Sequence, residues 1–303
     1  VRRGQAALRT RHRDCKYDEA KPIYERAIAI GEKALGPEHP DVGTLLNSLA
    51  NLMKSQGKYD EAKPIYERAI AIGEKALGPE HPDVGSQLNN LAAVLRSHGK
   101  YDEAKPLYER AIAIGEKALG PEHPDVVARI NNLAMVLDNQ GKYDEAKPLC
   151  ERAIAISEKT LGPEHPSVAI HINVLAALLY HQAKYDEAKP LFERVVKIYE
   201  KALGPDHPRV ATAINNLALL LQHQGKYDEA KPLYERAIAI NEKALGPEHP
   251  AVGYWLHNLA TVLQHQGKYD EAKPLYERAI AIGENRSRAP RRRESPQRLS
   301  DLS

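Results

Sequence analysis

The chain has 303 residues, 28% of them charged and 6% aromatic, with 43 Lys and Arg against 41 Asp and Glu. A net charge of +2 gives no general pull toward polyanions, so neither nucleic acid nor an anionic membrane is expected as a partner. Two cysteines in a chain of this length indicate no disulfide framework, and no apolar run approaches the roughly 18 residues of a membrane span, so a cytoplasmic protein is expected.

The first 16 residues are Arg-rich, lack the apolar centre of a signal peptide, and carry Gly4 where the next unit has Leu46. They form a degenerate N-terminal segment, a poor helix that leaves the helix after it short of a partner, and Val1 in place of Met suggests a processed or incomplete start. From there the heptapeptide Lys-Tyr-Asp-Glu-Ala-Lys-Pro recurs, with its tyrosine at Tyr17, Tyr59, Tyr101, Tyr143, Tyr185, Tyr227 and Tyr269, always 42 residues apart. A fixed period of that size means stacked units, so residues 17–284 are expected to build one elongated repeat domain with its function on a surface.

Each unit reads as two helices. In Pro40 to Gln56, apolar Val42, Leu46, Leu49, Ala50 and Met53 fall at spacings of three and four, the period of an amphipathic helix, here helix A. Pro40 suits its first turn, where a missing N–H costs little, and Asp41 there favours the dipole. Gly57 ends it. Asp60 offers an N-cap for helix B, which runs to about Leu77 with Ala62, Ile65, Tyr66, Ala69, Ile72 and Ala76 on one face. Gly78 and Pro79 stop it through a left-handed cap, and the Gly-Pro-Glu-His-Pro loop hands the chain to the next pair.

Those residues resemble the tetratricopeptide repeat. Its pattern of large apolar, Leu, small, large apolar, Gly, Tyr, Ala, aromatic and Ala is met at Leu46, Leu49, Ala50, Met53, Gly57, Tyr59, Ala62, Tyr66 and Ala69. The basic period of that family is about 34 residues, and the eight added here lengthen helix B by about two turns, roughly 12 Å. With Tyr-Asp-Glu-Ala-Lys-Pro-Leu-Tyr-Glu-Arg-Ala and Leu-Gly-Pro-Glu-His-Pro, the long form is similar to the repeats of kinesin light chains and to related bacterial and algal repeats. The resemblance implies an all-α, right-handed α-solenoid of tandem helix-turn-helix repeats. It also implies a noncatalytic adaptor that holds a peptide segment of a partner protein, a cargo or signalling protein, near the cytoskeleton. The heptads with which a light chain would recruit a motor heavy chain are absent, which favours a cargo-type module. The alternative is the sensor portion of a larger signalling NTPase.

Helix B hardly changes between units, whereas helix A varies opposite its apolar stripe. At roughly 100° per residue, the outward rows are Thr44, Ser48, Asn51 and Ser55; Ser86, Asn90, Ala93 and Ser97; and Ala128, Asn132, Met135 and Asn139. They continue as Ile170, Val174, Ala177 and His181; Thr212, Asn216, Leu219 and His223; and Tyr254, Asn258, Thr261 and His265. Since A helices line the concave groove in the resembled family, these rows are the expected peptide site. Asn90, Asn132, Asn216 and Asn258 each carry a donor and an acceptor that suit the backbone of an extended peptide, the alternative being that they are solvated or bond neighbouring helices. Ile170, Val174 and Ala177, near Met135 and Leu219, could form an apolar socket. Tyr254 and Trp255 add aromatic surface or pack on the last B helix.

No cofactor is implied. His39, His81, His123, His165, His207 and His249 repeat with the loop and read as turn or capping elements. His181, His223 and His265 stand on successive A helices, which pack about 8 to 10 Å apart, too far to converge on one zinc. No phosphate loop, Gly-x-Ser-x-Gly or His-Glu-x-x-His is present, so an enzyme is not expected. Residues 285–303, with Arg286, Arg288, Arg291, Arg292, Arg293 and Arg298 and two prolines, read as a disordered Arg-rich tail.

Overall fold

The structure, a computed structural model, describes the backbone of residues 2–287 and the side chains of residues 19–284. Among the described residues it contains thirteen α-helices and no strand. They are α1 (Arg2–Leu35), α2 (Pro40–Ser55), α3 (Tyr59–Leu77), α4 (Pro82–Ser97), α5 (Tyr101–Leu119), α6 (Pro124–Asn139) and α7 (Tyr143–Leu161), followed by α8 (Pro166–His181), α9 (Tyr185–Leu203), α10 (Pro208–His223), α11 (Tyr227–Leu245), α12 (Pro250–His265) and α13 (Tyr269–Ser287). Even-numbered helices are A helices and odd-numbered ones B helices. Two compact units are distinguished, one ending at Ile198 and the other starting at Tyr199, within α9. The backbone before Tyr17 continues α1 without a break, so no separate A helix precedes the first B helix there. The expected disordered tail, residues 285–303, begins inside α13, whose backbone runs helical to Ser287; its remainder, from residue 288 on, lies outside the described residues, as does the side chain of Cys15.

Each A helix begins on the loop histidine. His39 Nδ1 accepts the Asp41 N–H at 3.2 Å, Pro40 fills the first helical position, and the arrangement recurs at His81, His123, His165, His207 and His249. The end of α2 is closed by two bonds, Gly57 N–H to Lys54 O and Lys58 N–H to Met53 O, both 3.0 Å, with Gly57 at φ 73°. That closure also sets the start of helix B: α3 begins at Tyr59 with Lys58 at the cap position and no side-chain cap bond. Asp60 is therefore a first-turn residue that meets the helix dipole, and the expected N-cap role does not hold. At the other end Gly78 has φ 93° and ψ 153°, an extended mirror-image conformation open to glycine and not the left-handed helical cap expected, and its N–H reaches Glu74 O at 3.1 Å.

The core follows the periodicity. Val42, Leu46, Leu49, Ala50 and Met53 of α2 are buried against Ala62, Tyr66, Ala69 and Ile72 of α3, whereas Ala76 is exposed and Ile70 is buried in its stead. A B helix packs on its own A helix by one edge and on the next A helix by another. A Cβ at Gly43 of α2 would lie 3.3 Å from Ile72 of α3, and one at Gly73 of α3 would lie 3.1 Å from Val84 of α4. Backbones of successive A helices also meet, α2 with α4, α4 with α6 and α6 with α8 in the first unit, α10 with α12 in the second. Successive B helices are instead bridged by long side chains: Arg110 to Glu74 and Arg152 to Glu116 at 2.5 Å, Lys63 to Glu103 at 2.6 Å and Lys105 to Glu145 at 2.7 Å. Lys63 and Lys105 also face a carboxylate of their own helix, Glu67 and Glu109, each at 3.9 Å. Cys150 stands where Tyr66 and Tyr108 stand in sister repeats. Burial in that core position pushes its thiol up to about 12, which makes it an inert packing residue.

Candidate functional site

The predicted rows have a common profile. Their ends are exposed, with Thr44, Ser86, Ile170, Thr212 and Tyr254 at the first turn of the A helices and Ser97, Asn139, His181, His223 and His265 at the last. Their middles are half-buried, as at Ser48, Asn51, Asn90, Asn132, Met135, Asn216 and Leu219. Two predicted residues do not face outward: Val174 is 9% exposed and Asn258 only 7%, because the row drifts toward the packed flank on those helices. Trp255 is likewise core, which leaves Tyr254 as the exposed aromatic of α12.

Most hydroxyl and amide donors along the rows are already engaged. Thr44 Oγ1 donates to Pro40 O at 3.2 Å, Ser48 Oγ to Thr44 O at 3.0 Å, Ser86 Oγ to Pro82 O at 3.1 Å and Ser97 Oγ to Ala93 O at 2.9 Å. Thr212 Oγ1 does the same to Pro208 O at 3.2 Å, and Asn139 Nδ2 donates to Met135 O at 2.6 Å. A hydroxyl that donates to its own helix keeps acceptor capacity on its oxygen. Asn90 Nδ2 donates to Asn47 Oδ1 at 3.2 Å, tying α4 to α2, and Asn51 Oδ1 accepts the Tyr66 hydroxyl at 2.7 Å. The neighbour-bonding role weighed for the asparagines is therefore realised at Asn90. On α6 and α10 the asparagine just before the row residue is deeper still, with Asn131 and Asn215 buried.

Sequence reasoning missed a charged column. Lys54 and Arg96 are half-buried at equivalent positions of α2 and α4, and burial, with the nearby Arg96 charge second, holds the Lys54 ammonium below its usual range. Arg96 Nη1 points to Met135 Sδ at 3.1 Å. On α6 the same column is acidic: Asp138 takes His181 Nδ1 of α8 at 2.9 Å. The signal was available, since the column changes from Lys54 to Arg96, Asp138, Tyr180, Gln222 and Gln264, reversing its charge between the second and third members. Its place beside, and not on, the assumed outward row hid it. Of the histidines stacked along the A helices, His181 thus serves Asp138, and His265 lies flat on Tyr227 with ring centroids 4.9 Å apart. Among the described residues no group of three or more His, Cys, Asp or Glu could hold a metal ion, and no helix is long and apolar enough to cross a membrane. An open depression of about 630 Å³ lies at the A-to-B turns, between Gly141–Glu145 and His181–Lys184, off the predicted rows except at His181.

The tetratricopeptide repeat profile matches residues 9–75, 49–117, 83–138, 126–201, 167–222 and 209–285. Among solved structures, a Podosopora anserina protein described as a kinesin light chain of nearly identical TPR-like repeats is 35% identical, with a TM-score of 0.59 over 69% of this chain and 99% of that one. BtubC (BKLC) from P. vanneervenii is 24% identical, with a TM-score of 0.63 over 82% of this chain and 98% of that one. The apo form of RapI shares the fold at 14% identity, with a TM-score of 0.68 over 93% and 96%. No curated protein sequence matches the chain.

Proposed function

Because this chain belongs to the tetratricopeptide repeat family, in its kinesin light chain type, we propose that it is a noncatalytic scaffold whose A helices hold an extended peptide of a partner protein. The observation that carries this reading is the division of labour between the helices. B-helix side chains recur every 42 residues and are committed to inter-repeat ion pairs, while the A-helix columns differ from repeat to repeat and end in exposed polar and aromatic groups. A ligand with a nonrepeating sequence can be told apart only by a surface that changes along its length. Close approach of successive A helices, against side-chain bridges between B helices, supports placing the A helices on the inner side of each unit's curve, where a peptide finds the most surface. Ile170 offers an exposed apolar contact on the most apolar of the A helices, and the Lys54 and Arg96 column gives one end of the face positive charge. The partner is a cargo or signalling protein, and the site of action we infer is the cytoplasm, beside the cytoskeleton.

A peptide obtained by selection against the whole chain tests this by titration against two triple variants. Asn132→Ala, Asn139→Ala and Ile170→Ala together remove A-face contacts and are expected to weaken binding at least tenfold, since each lost polar contact is worth about 0.5–1.5 kcal/mol. Lys105→Ala, Glu109→Ala and Lys147→Ala on the B helices are expected to leave affinity nearly unchanged. A larger loss in the B-helix variant would move the site to the other face.

A further inference from the structure

Helices that repeat almost letter for letter raise a problem of order. If every B helix presented the same edge, any A helix could dock on it, and skipped or swapped repeats would compete with the native arrangement. One contact, however, differs at every junction. Gly31, Gly73 and Gly115 occupy one column of helix B and face Leu45, Gln87 and Arg129, the residues fourteen positions later on the following A helix. A Cβ at Gly73 would lie 3.0 Å from Gln87 Oε1, and one at Gly115 only 2.9 Å from Arg129 Nη1, closer than real Cβ atoms come. Arg129 has no room to yield: it is buried, with Nη1 donating to Ala111 O of α5 at 2.7 Å and Nη2 to Ser86 Oγ of α4 at 3.2 Å.

Advancing by one period gives Ser157 with His171, Tyr199 with Ala213, and Asn241 with Trp255, all six buried. Sizes are inverted at the Tyr199 junction: the B helix carries the large residue, and the A helix gives way with alanine. Tyr199 and Ala213 are both buried, and the charge of Arg209, one turn before Ala213 on α10, acts on the Tyr199 phenol. Ser157 with His171 is intermediate, and Asn241 with Trp255 is the bulkiest pair.

We propose that these two columns form a junction key, an inter-repeat interaction surface cut so that each B helix accepts only the A helix that follows it in this chain. Docking α10 on α5 would leave a void where Arg129 lies, and docking α6 on α9 would drive a guanidinium into the Tyr199 ring; both cost more than the near-identity of the remaining surface recovers. The key spends core volume on order, and it explains why Gln87, Arg129, His171 and Asn241 are polar yet buried, on the packed side of their helices and away from the outward rows.

The test converts one junction into another within the full chain. Gly115→Tyr and Arg129→Ala are made singly and together, which installs the Tyr–Ala pair of the junction two repeats on, and Tyr199→Gly with Ala213→Arg is the reciprocal exchange. Gly115→Tyr and Ala213→Arg alone are expected to lower the urea midpoint or to prevent folding. Each matched double is expected to fold and to regain more than half of the lost midpoint. A mismatched double, Gly115→Tyr with Gln87→Ala, is expected to regain none. Matched doubles that shift by the sum of their singles, overpacked singles that leave the midpoint unmoved, or equal recovery in the mismatched double would each overturn the proposal.

Discussion

Ala183 stands at φ 57° in an A-to-B turn whose sister turns place Gly57, Gly99, Gly141, Gly225 and Gly267 at φ 71–75°. Its bonds are those of the glycine turns, Ala183 N–H to Tyr180 O and Lys184 N–H to Leu179 O, both 2.9 Å, so the turn is made in spite of the Cβ. The left-handed conformation costs a residue with a Cβ about 1–2 kcal/mol, while glycine loses about 0.5–1 kcal/mol in chain entropy. Ala183→Gly is accordingly expected to raise stability by up to about 1 kcal/mol, read as a higher urea midpoint; a lower midpoint would show the turn is unstrained. Hydroxyls in the core offer a second residue-level contrast. Tyr66 donates to Asn51 Oδ1, but Ala93 replaces that asparagine in the next repeat and leaves the Tyr108 hydroxyl buried without a partner, its phenol pushed up to about 12 by desolvation. Where Met135 and Ala177 fill the same column, the B helix carries Cys150 and Phe192, which have no hydroxyl to satisfy. Tyr66→Phe is expected to cost about 0.5–1.5 kcal/mol and Tyr108→Phe nothing or less than nothing in thermal denaturation. Equal losses would mean that the Tyr108 hydroxyl is satisfied after all.

On the scale of the helix, stability rests on the buried stripe and hardly on the charged face. Leu133 lies in the middle of α6 with almost no exposure, so Leu133→Ala is expected to cost about 2–5 kcal/mol. Glu109, exposed on α5 and 3.9 Å from Lys105, is expected to cost no more than about 0.5 kcal/mol on change to alanine. Comparable denaturation midpoints for the two variants would mean the faces are wrongly assigned. These elements were legible in the sequence because proline, glycine and the three-and-four spacing of leucines mark starts, ends and buried faces through local physics. Asp60 was misread because the chain enters α3 directly from the closure of α2, where Gly57 and Lys58 leave no separate capping step. The pairing of Arg110 with Glu74 was invisible because it depends on how far one repeat stands from the next. Val174 and Asn258 were expected outside, since a fixed angle per residue ignores how each helix is rotated by its own packing, and the same approximation hid Lys54, Arg96 and Asp138.

For the molecule as a whole, repetition decides where information can lie. Ion pairs and core residues of the B helices recur in both units and define a scaffold, whereas the sequence of exposed residues along the A helices is different at each step. The fold, being periodic, was readable from one repeat; the proposed site is sought in what departs from the period, and the exposure of those residues depends on packing that no single repeat reveals. Binding on the A-helix face is the central claim, and cross-linking tests it most directly. A peptide selected against the whole chain, carrying a photoreactive residue at each position in turn, is irradiated in complex and the adducts are mapped by mass spectrometry. Adducts are expected on the A helices, on α4, α6 and α8 within the first unit, and to advance from helix to helix as the photoreactive residue moves along the peptide. Adducts concentrated on α5 and α7, or on one spot whatever the position of the label, would contradict it.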